Sequence, residues 1–167
     1  GRAGDDTLRG DAGADTLAGG GGANRLEGGA GNDVYVVTSD SDTIVETGGE
    51  GRDRVDSALD SITLPSDVED LRLLAGASIA IGNDLANEIT GNGASNLLRG
   101  QAGADTLFGG DGDDTLHGEA GGDFLVGGEG SDFASYESAP EGVVASLAAP
   151  RDNTVDAFGD RYVGIEG

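Results

Sequence analysis

Large apolar residues recur at every ninth position along two stretches of the chain, with glycine and acidic residues between them. In residues 1–36 the apolar positions are Leu8, Leu17, Leu26 and Tyr35. The same spacing returns after Gly82, at Ile89, Leu98, Leu107, Leu116 and Leu125. Nine residues are too few for two helical turns and a connection, but they suit a six-residue turn followed by a three-residue strand. The pattern therefore predicts short β-strands joined by tight turns.

Each nine-residue unit has the same layout, with glycine at the first, second or fourth place, Asp or Asn at the sixth and an apolar residue at the eighth. Glycine permits the positive φ angles of a tight reversal. A short strand then points one side chain inward and its two neighbours outward. Two units would form one flattened coil, with Leu8 over Leu26 on one face and Leu17 over Tyr35 on the other. We therefore predict an all-β parallel solenoid with coils about 4.8 Å apart.

The repeats divide the chain into four predicted parts. Residues 1–36 form a first array, and residues 82–135 form a second array. Residues 37–81 lack the glycine pattern but contain alternating apolar runs typical of strands. Because this spacer is 45 residues long, five times nine, the two arrays share one phase and we expect a continuous solenoid. Residues 136–167 are predicted to be a C-terminal strand and cap segment.

The spacer and the C-terminal segment carry more specific expectations. We expect wider coils in the spacer, without complete glycine turns. Its predicted core residues are Ile44, Val55, Ile62, Leu64, Leu71 and Leu73. After Asp132, a strand pair around a turn at residues 139–142 should cover the open end of the stack. Its apolar residues are Phe133, Tyr136, Val143, Val144 and Leu147. His117 falls at an outward ninth place, where we expect it to be exposed to solvent.

Composition and charge narrow the partners of this chain. The 167 residues include 33 Gly, and 32 Asp and Glu outnumber nine basic residues, for a formal charge of -23. Such a surface repels nucleic acid and anionic lipid and attracts cations. The absence of Cys excludes disulfides and thiolate metal sites. No apolar run approaches the roughly 18 residues of a membrane span.

The sixth place of the repeat carries the candidate metal ligands. These residues are Asp6, Asp15, Asn24, Asp33, Asn87, Asn96, Asp105, Asp114, Asp123 and Asp132. Stacking aligns their carboxylates in a like-charged row, and a cation between coils would relieve the repulsion. Carboxylate and carbonyl oxygens suit Ca²⁺, whereas Mg²⁺ demands a stricter octahedron and Zn²⁺ prefers His or Cys. We predict several bound Ca²⁺ ions.

Other interpretations of the pattern predict different features. An acidic, glycine-rich chain is often disordered, but disordered chains do not keep an apolar residue at every ninth place. A metal-free solenoid such as an ice-binding β-helix predicts regular Thr on an outward face. Here the seventh place is Thr only at Thr7, Thr16, Thr106 and Thr115. A phosphate-binding glycine loop needs a basic residue and a following helix, and the pattern predicts neither.

The units resemble the GGxGxDxUx calcium-binding nonapeptide of the RTX (repeats-in-toxin, haemolysin-type) family. The resemblance implies a right-handed parallel β-roll in which the sixth-place Asp of one unit shares an ion with its equivalent two units on. The implied all-Asp pairs are Asp15–Asp33, Asp105–Asp123 and Asp114–Asp132. The mixed pairs are Asp6–Asn24, Asn87–Asp105 and Asn96–Asp114. Because Asn brings an oxygen without a charge, we expect weaker or empty sites at the mixed pairs.

The resemblance also implies a function. It indicates a module of a secreted bacterial protein that passes a type I secretion channel unfolded and folds on Ca²⁺ outside the cell or at its surface. We expect no catalysis from this segment, because it has no GxSxG or HExxH motif. Three classes of parent protein fit: an exported protease, lipase or polysaccharide-modifying enzyme; a surface-layer protein or adhesin with this segment as a rigid spacer; and a pore-forming toxin. Glycans and other copies of a surface protein are the further candidate partners.

Overall fold

The computed structural model describes residues 1, 3–46, 51–139 and 155–167, together with 143, 145 and 147. The strands of the described residues, β1 to β16, are Thr7–Ala12, Thr16–Ala18, Arg25–Ala30, Val34–Val37, Thr43–Val45, Arg54–Ser57, Ser61–Thr63, Asp70–Leu73, Ile79–Ile81, Glu88–Thr90, Leu97–Ala102, Thr106–Asp111, Thr115–Ala120, Phe124–Glu129, Phe133–Ala134 and Arg161–Val163. A 3-10 helix spans Val155–Ala157. Within this part of the chain, no helix has the length and apolar character that crossing a bilayer requires.

Alternate strands lie in different sheets, and neighbouring strands within each sheet are parallel. One sheet of eight strands contains every even-numbered strand from β2 to β16. The odd-numbered strands form a sheet of three, β1-β3-β5, and a sheet of five, from β7 to β15. In the repeats, Leu8 pairs with Leu26 and Leu17 with Tyr35. The predictions of an all-β parallel solenoid and of its register are confirmed.

The spacer belongs to the same solenoid, but its coils are not uniformly wide. Tyr35 pairs with Val55, 20 residues further along the chain. Val55 in turn pairs with Leu71, only 16 residues further on. Two added residues before β6 and two missing residues after it therefore cancel, which is why the two arrays share one phase. The prediction of wider coils is right for one coil and wrong for the next. At this point the odd-numbered face is also interrupted, between β5 and β7.

The core is a stack of inward-facing eighth-place side chains. In the second array Ile89, Leu98, Leu107, Leu116 and Leu125 are completely buried. Of the core residues predicted for the spacer, Val55, Leu64, Leu71 and Leu73 are buried, and Ile44 and Ile62 are partly buried against them. Burying a Leu side chain is worth about 1.5–3 kcal/mol, and one such residue per nine leaves much of the stability to the hydrogen bonds between coils.

The C-terminal residues lie over the last coil. Strand β16 follows β14 in the eight-stranded sheet, with Tyr162 opposite Leu125. On the other face the main-chain N–H of Ala134 donates to the carbonyl of Gly167 at 3.0 Å. The strand pair predicted around a turn at residues 139–142 falls partly on residues outside the described part of the chain. Before the turn, β15 contains Phe133, and Tyr136 lies in no strand. Val143 and Leu147 themselves are described, and neither lies in a strand.

The prediction for His117 is wrong, because its side chain is buried, with 3% of its surface exposed. It lies on β13, against which the 3-10 helix of the C-terminal segment packs. Burial and, secondarily, the positive charge of Arg99 lower the pKa of the imidazole. The repeat pattern places this position outward but contains no information on which segment returns to cover it.

Candidate metal centre

The sixth-place residues precede the strands, and each is held by the coil before it. The Asp15 N–H donates to Asp33 Oδ1 at 2.8 Å. In the same way Asp105 donates to Asp123 Oδ1 at 2.9 Å. The Asp114 N–H likewise donates to Asp132 Oδ1 at 2.9 Å. The structure therefore brings together the three all-Asp pairs implied by the repeat, each through one oxygen of the later carboxylate.

The second oxygen of these carboxylates has no partner. The buried Oδ2 atoms without a hydrogen bond in the described chain belong to Asp33, Asp42, Asp105, Asp114, Asp123 and Asp132. Asp105, Asp114, Asp123 and Asp132 are each no more than 1% exposed. A buried polar group left unsatisfied costs about 1–3 kcal/mol, and a charged one costs more. Such a column of oxygens requires protons or cations.

The first-place glycines show where a cation would sit. A β-carbon added to Gly109 would collide with Asp114 Oδ2 and with the carbonyl oxygen of Gly127. One added to Gly100 would meet Asp105 Oδ2 and the carbonyl oxygen of Gly118. A carboxylate oxygen and a carbonyl oxygen from the next coil therefore converge beside each of these glycines. Mixed carboxylate and carbonyl oxygens are the ligand set that Ca²⁺ accepts, so the residues present fit calcium.

Burial also raises the pKa of these acids. It raises the pKa of Asp105 and of Asp114 to about 6. For Asp123 burial is again the main cause, with Asp160 and Asp105 adding repulsion, and its pKa is raised to about 7. These carboxylates are thus deprived of water without gaining a positive partner. A bound divalent cation would supply that partner and lower the pKa again.

The sixth-place asparagines of the second array are satisfied by the protein alone. Asn87 Nδ2 donates to the Glu69 carbonyl at 3.1 Å and to Asn83 Oδ1 at 3.0 Å, and its Oδ1 accepts from the Asn83 N–H at 2.8 Å. Asn96 repeats the arrangement: its Nδ2 donates to the Ala77 carbonyl at 3.3 Å. Both polar atoms of these Asn side chains thus have hydrogen-bond partners, whereas Oδ2 of the Asp side chains has none in the described chain.

The sixth-place residues of the first array are less uniform. Asp6 and Asp15 are half-buried, while Asn24 and Asp33 are buried. The Asp6 N–H donates to Asn24 Oδ1 at 3.0 Å, so this mixed pair is also brought together. The Asn24 Nδ2, in turn, donates to Asp42 Oδ1 at 2.7 Å.

Several further acidic residues, which the sequence did not predict, lie in the same stacks as the sixth-place residues. Asp42 and Asp53 accept the N–H groups of Asn24 and Asp33, at 3.1 and 2.7 Å. At the far end Asp160 and Glu166 accept those of Asp123 and Asp132, at 2.8 and 2.7 Å. Asp42 lies nine residues after Asp33 and could have been found by counting. The remaining three stand at irregular spacings, and only the folded chain places them in the columns.

Comparison with protein families supports this site. The family described as RTX calcium-binding nonapeptide repeat (4 copies) matches residues 1–35, 81–116 and 100–134, which together cover more than half of the chain. Neither the curated proteins nor the solved structures gave a match. The matched ranges contain all ten predicted sixth-place residues and omit the spacer and the C-terminal segment. The chain belongs to the RTX calcium-binding nonapeptide repeat family.

Proposed function

We propose that this chain is a calcium-binding module of a secreted bacterial protein, disordered without calcium and folded into its β-roll by calcium outside the cell. The observation that carries the proposal is the set of buried Oδ2 atoms of Asp105, Asp114, Asp123 and Asp132, which accept no hydrogen bond in the described chain. A roll that buries such carboxylates is destabilised until a cation joins them. Calcium is then a condition of folding rather than an addition to a finished structure.

The difference in calcium between compartments would make the module a switch. Bacterial cytosol keeps free Ca²⁺ low, and the extracellular medium offers it at far higher levels. Extracellular calcium modules have Kd values of about 10⁻⁴–10⁻³ M, and one such site at a few times its Kd contributes only about 1 kcal/mol. Several sites sharing carboxylates along one column are therefore required, which accounts for the tandem array.

The proposed role is structural and not catalytic. The module would act as the folding unit of an exported enzyme, or as a rigid spacer in a surface-layer protein or adhesin. The role of the whole module as a rigid spacer is supported by the eight-stranded sheet, which continues from β2 to β16 through both arrays. Both roles depend on the same calcium-driven folding, so one experiment tests their common basis.

Circular dichroism during a calcium titration tests the proposal. We expect a disordered spectrum in chelator and a cooperative rise of strand signal as Ca²⁺ approaches the millimolar range. Mg²⁺ at the same concentration is the matched control and should produce little strand signal, because it binds its water strongly and demands octahedral geometry. A strand signal that is the same in chelator and in saturating calcium would contradict the proposal.

A further inference from the structure

Three carboxylates converge where the first array meets the spacer. One oxygen from each of Asp33, Glu46 and Asp53 lies within 4.8 Å of the other two. Asp33 and Asp53 are buried, with 1% and 3% of their surfaces exposed. Neither Glu46 nor Asp53 belongs to a glycine-rich nonapeptide, and both lie outside the ranges that match the repeat family.

Glu46 stands where the repeat would place its first glycine. Strand β5 pairs with β3 in the register Glu27 to Val45, which brings Glu46 opposite Gly28. In the regular coil below, the place beside Gly10 is occupied by the carbonyl oxygen of Gly28. Beside Gly28 itself it is occupied by the side-chain oxygen Oε1 of Glu46. A charged oxygen thus replaces the neutral carbonyl of the ordinary site.

A second observation shows that this cluster requires a ligand. Asp33 Oδ2 is buried without a hydrogen-bond partner in the described chain, and it lies beside Gly28 next to the Glu46 oxygen. The buried Tyr35 hydroxyl donates to Glu46 Oε1 and fixes that side chain. Asp53 Oδ1 accepts from the Asp33 N–H at 2.7 Å, which fixes the third carboxylate.

Nearby arginines are engaged with other acids. Arg52 Nε donates to Asp70 Oδ2 at 3.0 Å. Arg54 Nε donates to Asp56 Oδ1 at 2.9 Å. These two side chains flank Asp53 in sequence, yet each is bound to a different carboxylate. The negative charge of the cluster therefore has to be met by something other than these arginines.

We propose that Asp33, Glu46 and Asp53 form a calcium site of a second kind, built from three side-chain carboxylates, at the junction of the first array and the spacer. Hard oxygen ligands of this number and charge suit Ca²⁺, and they offer no nitrogen or sulfur to Zn²⁺. Calcium affinity rises with the number of charged ligands. The junction site should therefore fill at a lower calcium concentration than the repeated sites of the second array.

Tyr35 makes the site directly observable with Tb³⁺, a luminescent substitute for Ca²⁺. The chain has three tyrosines and no tryptophan, so a Tyr136→Phe/Tyr162→Phe background leaves Tyr35 as the sole sensitiser. Tyrosine-excited Tb³⁺ emission should appear in this background and be displaced by Ca²⁺. Its absence would overturn the proposal without any further variant. Glu46→Gln should weaken apparent Tb³⁺ affinity by roughly tenfold or more, since a charged ligand is lost.

Two control variants identify the source of the emission. Glu129→Gln makes the same change at an exposed position and should leave the emission unchanged. Asp15→Asn alters the ordinary site on the other side of Asp33 and is the comparison variant, because it should reduce the emission less than Glu46→Gln does. Emission that survives Glu46→Gln, or that Asp15→Asn and Glu46→Gln reduce equally, would overturn the junction site. Calcium-induced strand signal in Glu46→Gln is measured alongside, and its persistence shows that folding of the arrays does not depend on this inference.

Discussion

The second array contains two kinds of coil that stack in one register and satisfy their buried polar groups in opposite ways. The coils that begin with Asn87 and Asn96 pair with those of Asp105 and Asp114 in unbroken register. In the Asn coils the side-chain nitrogen donates to main-chain carbonyls of the preceding coil. In the Asp coils the second side-chain oxygen, Oδ2, has no hydrogen-bond partner in the described chain.

The difference amounts to one atom of nearly the same size. Nδ2 of Asn is a donor, and it can bond to the carbonyl oxygens that face it. Oδ2 of Asp114 is an acceptor, and it lies beside Gly109 near the Gly127 carbonyl oxygen of the next coil, which it can only repel unless a cation lies between. The comparison indicates that the Asn coils satisfy their buried side chains with amide hydrogen bonds, whereas the Asp coils leave one oxygen available to a cation. The Asn units are then not failed calcium sites but coils that need no ion.

The largest expected effect is that of removing calcium. At a calcium concentration just below the folding midpoint, the main-chain N–H groups of Asp105 and Asp114, which donate to the next carboxylates along the stack, should exchange with solvent early. The main-chain N–H groups of Asn83 and Asn92 donate to the side-chain oxygens of Asn87 and Asn96, at 2.8 and 2.7 Å. These N–H groups should stay protected longer. An unsatisfied buried charge costs more than about 1–3 kcal/mol, so we expect roughly a tenfold difference in protection or more. Hydrogen exchange with mass spectrometry measures it.

A fully calcium-loaded sample is the control for this experiment, because both kinds of coil should then be protected to a similar degree. Equal loss of protection at Asn92 and Asp114 just below the folding midpoint would mean that the coils unfold only as one unit. It would remove the distinction between amide-held and ion-held coils.

The next largest expected effect is on the pH dependence of folding, which should have opposite signs without and with calcium. Burial raises the pKa of Asp105 and Asp114 to about 6 and that of Asp123 to about 7, against about 3.9 for Asp in an unfolded chain. A raised folded-state pKa gives stability that is present below pH 4 and lost as the pH rises through 6 to 7. Without calcium, strand signal should therefore be greater near pH 4.5 than near pH 8.

With saturating calcium the trend should be opposite, since the ion binds only the deprotonated carboxylates. Circular dichroism across the pH range, with sedimentation to exclude aggregation of a chain near neutrality of charge, measures both curves. A calcium-free chain that is more ordered at the higher pH would show that these acids are not buried without partners.

Single substitutions should separate the two kinds of coil. Asp114→Ala removes the acceptor of the Asn96 N–H at 2.7 Å and a proposed calcium ligand. It should raise the calcium midpoint of folding by roughly tenfold, since one lost ion contact of about 1.4 kcal/mol is tenfold. Asn87→Ala leaves the Glu69 carbonyl and the Asn83 side chain without their partner. It should lower stability by about 1–3 kcal/mol at every calcium concentration at which the chain folds.

Calcium titrations followed by circular dichroism, together with urea unfolding at saturating calcium, distinguish these outcomes. Asp114→Asn is the matched variant that keeps the size of the side chain and removes only its charge. If Asp114→Ala and Asn87→Ala changed the calcium midpoint to the same extent, the division between ion-held and amide-held coils would be wrong.

The sequence predicted the regular part of the fold and the positions of the ten sixth-place residues, because both follow from a period that local chemistry enforces. It could not predict how the coils of the spacer compensate each other. The 45-residue interval predicted a shared phase, and the missing glycine turns predicted wider coils, whereas a long step to Val55 and a short step to Leu71 cancel. Sequence spacing alone cannot distinguish a regular series from an insertion and a deletion that balance.

The acidic residues at the ends of the stacked sixth-place positions could not be predicted either, because their spacing in the sequence is irregular. Asp160 follows Asp123 by 37 residues yet occupies the next sixth place in space. The roles of Asn83 and Asn92 were also missed, although both stand at the second place of units nine residues apart. Their side chains donate to carbonyls of the spacer, including those of Val68 and Leu74 at 2.7 and 2.9 Å. These partners could be identified only from the structure, in which coils of the second array stack on coils of the spacer.

The smallest effect should come from converting one amide-held coil into an ion-held coil. Asn96→Asp replaces Nδ2, which donates to the Ala77 carbonyl at 3.3 Å and to Asn92 Oδ1 at 3.4 Å, by an oxygen that faces those same acceptors. At the lowest calcium concentration that folds the parent chain, the variant should lose about 1–3 kcal/mol of stability. With saturating calcium an ion between these oxygens should restore the loss, and calorimetric titration should count one more bound ion.

Ala86→Asp is the control for added charge, since it introduces the same carboxylate at an exposed position of the same array. It should leave both the stability and the number of ions unchanged. If Asn96→Asp lost stability equally at low and at saturating calcium, the new carboxylate would not bind an ion. The sixth place would then not be sufficient to define a calcium site, and the glycine at the fourth place, replaced here by Ala94, would have to be part of it. Asn96→Asp combined with Ala94→Gly tests whether the fourth-place glycine is part of the site. If it is, the double variant gains the ion that Asn96→Asp alone does not bind.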